Sequence, residues 1–143
     1  MSVATTRGEL ADILSSLTLF SDLSTAELES VAHSLEERRF ADGERILRQG
    51  LSGSAFYVIL SGEATIRLDG RDYGTLGRGE FFGEVTALLG GVPVADVVAA
   101  HDLHCAIISA PALEPFLVQH PRMMLRLLQS EARKLRAATR WRS

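Results

Sequence analysis

Cysteine is almost missing from this chain. Cys105 is the only one in 143 residues, so no disulfide can close within the chain, and a reducing, cytoplasmic compartment is expected. An excess of positive charge is missing too. Fifteen Lys and Arg against eighteen Asp and Glu give a net charge of −3, so no global basic field points to nucleic acid. No apolar run approaches the roughly 18–20 residues of a membrane span. The N-terminus MSVATTRGEL lacks the apolar core of a signal peptide. A soluble chain with no membrane partner is expected. Internal repeats and low-complexity segments are not found. The length suits one domain with a real core, spanning residues 1–143.

Catalytic signatures are equally scarce. No serine–histidine–acid or paired-carboxylate pattern stands out, so no catalytic residue is assigned and no enzyme is expected. His101 and His104 flank Asp102. On an extended strand, however, residues three apart point to opposite faces, so no metal ligands are assigned. Cys105 reads as a small core residue.

What the chain does have is a change of period, twice. Over residues 1–37 the pattern is helical. Leu10, Ile13, Leu14 and Leu17 mark one helix over 8–19. Ser24 with Glu27 forms a capping box, and Leu23 with Leu28 has the spacing of a hydrophobic staple. Leu28, Val31, Ala32 and Leu35 continue that second helix.

Over 38–109 the pattern is extended. Asp42-Gly43 is a turn dipeptide. Ala55 to Leu60 reads as one apolar strand. Ala64, Ile66 and Leu68, alternating with Thr65, Arg67 and Asp69, read as another. Asp69-Gly70 signals a tight hairpin. Val94 to Ala100 and Leu103 to Ile108 read as two more strands. Such short strands, punctuated by glycine turns, indicate a β-roll or barrel.

Over 110–143 the pattern is helical again. Leu113, Phe116 and Leu117 mark a short helix that stops near His120-Pro121. A longer helix runs from Pro121 to Ala138, with proline in its first turn, where the missing N–H costs nothing. Its stripe of Leu125, Leu128, Ala132, Leu135 and Ala138 serves as intramolecular core, as a dimer seam, or as both. Arg133, Lys134, Arg136, Arg140 and Arg142 complement a helix C-terminus.

The segment from Gly79 to Ala99, GEFFGEVTALLGGVPVADVVA, is the most informative. A glycine-bounded turn leads to Phe81-Phe82 and Gly83-Glu84. About two helical turns follow, then Pro93 and a valine-rich strand. Gly83 leaves the backbone open to an approaching anion, and N–H groups at a helix start favour negative charge. Upstream stand Asp42-Gly43-Glu44, Ile46, Gly50, Phe56-Tyr57-Val58-Ile59, Gly62 and Gly74-x-Leu76-Gly77. In this order and at these spacings, the chain resembles the cyclic-nucleotide-binding domain family from Leu19-Phe20 to the last helix.

The resemblance implies an α+β fold. Its centre is a β-roll of the double-stranded β-helix or jelly-roll kind, flanked by N-terminal helices and a C-terminal helix pair. Residues 79–99 would be the phosphate-binding cassette. Cyclic AMP or cyclic GMP would be the ligand, held at Phe82, Gly83, Glu84, Val85, Val94 and Ala95, with Glu84 on the ribose 2′-hydroxyl. One departure matters. The family has Pro-Arg-(Ser/Thr/Ala)-Ala-(Ser/Thr)-Val where this chain has Pro93-Val94-Ala95-Asp96-Val97-Val98. Val94 then stands where the family's arginine pairs with the cyclic phosphate. Ala95 keeps an N–H but brings no hydroxyl, and Asp96 adds negative charge near the phosphate position. Truncating one member of a buried charge pair costs about 2–5 kcal/mol, roughly 30- to several-thousand-fold in affinity. Cyclic nucleotide is therefore expected to bind weakly or not at all. Arg78 is the nearest substitute arginine by sequence.

The expected role is a regulatory ligand-sensing module that reports through its terminal helices. The alternative is a degenerate domain acting as a protein-interaction or dimerisation module. The resemblance implies a homodimer through the last helix. No helix-turn-helix follows that helix before Ser143, so DNA is not an expected partner.

Overall fold

A computed structural model of the chain describes residues 6–51 and 54–139. In chain order the elements are α1 (Arg7–Ser15), a 3-10 turn (Thr18–Phe20), α2 (Thr25–Ser34), β1 (Glu36–Phe40), β2 (Arg45–Leu47), β3 (Ala55–Leu68), β4 (Arg71–Leu76), β5 (Phe81–Phe82), α3 (Glu84–Leu89), β6 (Asp96–Ser109), α4 (Ala110–Gln119) and α5 (Pro121–Thr139). They fall into two compact units, 33–114 and the combination of 1–32 with 115–143.

All six strands lie in the first unit, together with α3. Every pairing is antiparallel, in the order β1-β6-β3-β4, with β2 also on β6 and β5 also on β3. Phe40, Ile59, Phe82, Val97, Leu103 and Cys105 share its core. Asp69 and Gly70 both have positive φ, 51° and 79°, and close the β3–β4 hairpin between the paired residues Leu68 and Arg71. This is the primed-turn geometry that Asp-Gly favours.

Two strand boundaries differ from the sequence expectation. Ala55–Leu60 and Ala64–Leu68 are one strand, and so are Leu103–Ile108 and the residues from Asp96 onward. The breakers between them are absorbed as bulges. β3 shifts register against β6 on both sides of Ser61, and His101 has φ 64°. A Cβ on Gly62 would run into the carbonyl oxygen of Asp102. The missing side chain lets the two irregularities nest.

The other unit contains helices. Ser24 and Glu27 exchange their capping-box bonds at 3.1 and 3.2 Å, and the staple residues Leu23 and Leu28 are both buried. Thr6 and Glu9 form a second capping box at α1. In α5 the buried side chains are Met123 and Leu127. Leu125, Leu128 and Leu135, expected as core or seam, are 46%, 63% and 69% exposed. The buried face is turned relative to the expected stripe because α5 packs against the 3-10 turn. Arg126 fixes that rotation by donating two hydrogen bonds, 2.7 and 3.0 Å, to Asp22. That pairing holds the Asp22 carboxyl below its usual range. Arg140 and Arg142 of the basic tail lie outside the described residues.

Candidate functional site

The cassette is built on β3. Ile59 donates to the Glu80 carbonyl at 2.9 Å and accepts from Gly79 N–H at 2.8 Å, while the Glu80 side chain accepts from Gly77 N–H at 3.1 Å. This turn delivers β5, whose Phe82 stacks on Tyr57 at 4.7 Å with the rings 5° from parallel. Gly83 follows at φ +83° as the N-cap of α3. A Cβ there would collide with the Ala55 carbonyl and lie 3.2 Å from the Tyr57 ring, so glycine is needed both for the left-handed conformation and for the close approach. Glu84 opens α3. It is only 7% exposed and is already partnered within the protein. Val85 is 54% exposed.

The segment after α3 decides where the missing arginine would have stood. Val94 is 80% exposed, Ala95 is half-buried, and neither belongs to β6. Pro93 is buried. Asp96 does not face open space. Its Oδ1 accepts from Gln49 N–H at 2.7 Å and its Oδ2 lies 3.7 Å from Arg45 Nε. Its carboxylate ties the end of β2 to the start of β6.

Beside these residues is a cavity of about 300 Å³. Its apolar lining residues are Ile46, Leu47, Leu51 and Pro93, and Arg48, Ser54 and Tyr57 complete the lining. None of the six ligand-binding positions expected from sequence lines it. Pro93 and Arg48, which were not among the expected positions, do line it. The legible sign of Arg48 was a cation at a strand end just ahead of Gly50.

Residues 37–120 match the family model described as cyclic nucleotide-binding domain. The chain belongs to that family. It is 42% identical over 86 residues to a cAMP-dependent protein kinase regulatory subunit of Mycosarcoma maydis, covering 57% of this chain and 16% of that protein. It is 37% identical over 109 residues to the same kind of subunit from Mucor circinelloides f. lusitanicus, covering 73% of this chain and 25% of that protein. The chain thus spans a quarter or less of these relatives. Among solved structures, Thermus thermophilus catabolite activator protein superposes with a TM-score of 0.76 at 29% identity, over 84% of this chain and 59% of that one.

Within this cyclic nucleotide-binding fold the other polar groups serve the sheet. His104 on β6 is buried, with Nε2 2.8 Å from Glu37 Oε1 on β1. Burial and the nearby Arg39 charge push its pKa below the ordinary imidazole value, against the opposing pull of Glu37. His101 is exposed. Burial pushes the Cys105 thiol up to about 12. Among the described residues no group of three His, Cys, Asp or Glu converges on a metal position. Among them, too, no helix is long and apolar enough to cross a membrane.

Proposed function

We propose that this chain is a cytoplasmic, non-catalytic regulatory module that senses a small ligand in the 300 Å³ cavity, with cyclic nucleotide affinity much reduced. The observation that carries this reading is at residues 93 and 94. Pro93 fills the cavity wall and Val94 points into solvent, so the cassette brings no cation to the cavity. The regulatory-subunit relatives support the sensing role.

Calorimetric titration of cyclic AMP and cyclic GMP into the native protein, Pro93→Arg and Val94→Arg tests it. The native chain should bind weakly. An arginine at 94 should change little, because it starts from an exposed backbone position. An arginine at 93 should tighten binding by roughly 30-fold or more. Micromolar binding by the native chain would refute the weakened-site reading. Rescue by Val94→Arg alone would return the arginine position to residue 94.

A second reading is favoured by α5, whose Leu125, Leu128 and Leu135 are exposed on one helix. It makes this helix a homodimer or protein-partner surface. Sedimentation of the native chain against Leu128→Glu checks it: a monomer mass for both at high concentration argues against the homodimer.

A further inference from the structure

We infer that Arg48 is the anion-binding residue of the cavity, and that the ligand it selects is a small organic phosphate. The inference rests on the ligand-sensing reading above and adds the residue that gives the site its charge preference.

Three observations converge. First, Arg48 lines the cavity together with Ser54 and Tyr57, while the rest of the wall is apolar. A cavity of about 300 Å³ is at the lower end of small-molecule sites, where a few placed polar groups set specificity. Second, neighbouring cations are already engaged. Arg45 faces Asp96 at 3.7 Å, and Arg67 donates to Asp72 at 2.8 Å. Among the described residues no carboxylate pairs with Arg48. Third, the backbone that carries Arg48 is fixed: before it Leu47 pairs with Val97, and after it Gln49 and Gly50 are both hydrogen-bonded. Gln49 N–H donates to Asp96 at 2.7 Å, and the Gln49 amide exchanges hydrogen bonds with Asp69 at 3.0 and 3.2 Å. Gly50 N–H donates to the Pro93 carbonyl at 2.9 Å. These bonds hold the stem of Arg48 on the same wall as Pro93.

The opposite polar contribution is equally set. Tyr57 is clamped by its stack on Phe82 and meets Phe40 edge-on, with centroids 6.3 Å apart. Its ring therefore keeps its place as ligand enters. A guanidinium fork matches the paired oxygens of a phosphate, and a fixed aromatic ring with aliphatic neighbours suits the organic part. Asp96, the charge that sequence reasoning set against an anion, is held by Gln49 and Arg45. In this arrangement the cation comes from the end of β2 instead of from the cassette.

The test titrates cyclic AMP and its uncharged counterpart adenosine into the full chain, into Arg48→Ala and into Arg48→Lys, with NMR shifts as the readout, at low and high salt. Native affinity for cyclic AMP should fall on the order of tenfold in Arg48→Ala. Arg48→Lys should lie between them, and salt should weaken the native complex most. Adenosine binding should not respond to either substitution. Shifts should appear at Arg48, Ser54 and Tyr57. Equal cyclic AMP affinity in the native chain and Arg48→Ala would overturn the role of Arg48 and leave the ligand-sensing reading intact. Binding of neither probe to the native chain would overturn the assignment of an organic phosphate to this cavity.

Discussion

Replacing Gly83 with alanine should detach the start of α3 from β3. The residue sits at φ +83°, where an L side chain costs about 1–2 kcal/mol. Its new Cβ would also collide with the Ala55 carbonyl and crowd the Tyr57 ring. Backbone is the obstacle, so the clash is relieved only by moving α3, and overpacking of this kind adds about 1–3 kcal/mol. The expected loss is about 2–5 kcal/mol. Gly43 provides the control. Its φ is +82° and nothing lies within 4 Å of its Cβ direction. Gly43→Ala should lose only the conformational part, about 1–2 kcal/mol. Urea unfolding of both variants, read by circular dichroism, separates the two effects. For a slope of about 1–3 kcal/mol per molar urea, the two midpoints should differ by something on the order of 1 M. Coincident midpoints would refute the reasoning, because they would mean that the β3–α3 approach yields at no cost.

Two further outcomes follow from the buried polar groups. Cys105 is buried with its thiol pushed up to about 12, so a thiol reagent at mildly alkaline pH should leave the native protein unmodified and label it fully in urea. Rapid native labelling would contradict the burial. His104 is held below the ordinary imidazole value of about 6.5, so between its folded value and that one the unfolded state binds more protons than the native state. Stability should therefore be complete above that window and decline as pH falls through it. The urea midpoint should drop on acidification from neutral, and His104→Asn should flatten that slope. An unchanged slope in the variant would assign the effect to another group.

Local chemistry was legible before any tertiary information. The Ser24/Glu27 capping box, the Asp69-Gly70 hairpin and the start of α5 at Pro121 were all read from sequence and found in place. Each depends on interactions within a few residues, which sequence spacing encodes directly. The Thr6/Glu9 box had the same kind of signal and was missed. The order of helix, strand and glycine turn also sufficed to point to the family.

The sequence alone determined the composition of the cassette, the single thiol and the absence of an arginine between Pro93 and Val98. Tertiary structure decided which side chain faces the cavity. Residues 91–95 have no regular period to transmit a register, so nothing local separates Pro93 from Val94. The hydrogen bond from Gly50 to the Pro93 carbonyl and the grip of Gln49 on Asp96 settle it, across more than forty residues of chain. The same long-range contacts bring Arg48 to that wall. The pairing of β3 with β6 also joins strands that looked separate, because the bulge at Gly62 is met by the bend of the partner strand at His101. Spacing encodes what neighbours along the chain do to one another; the site is made by neighbours across the sheet.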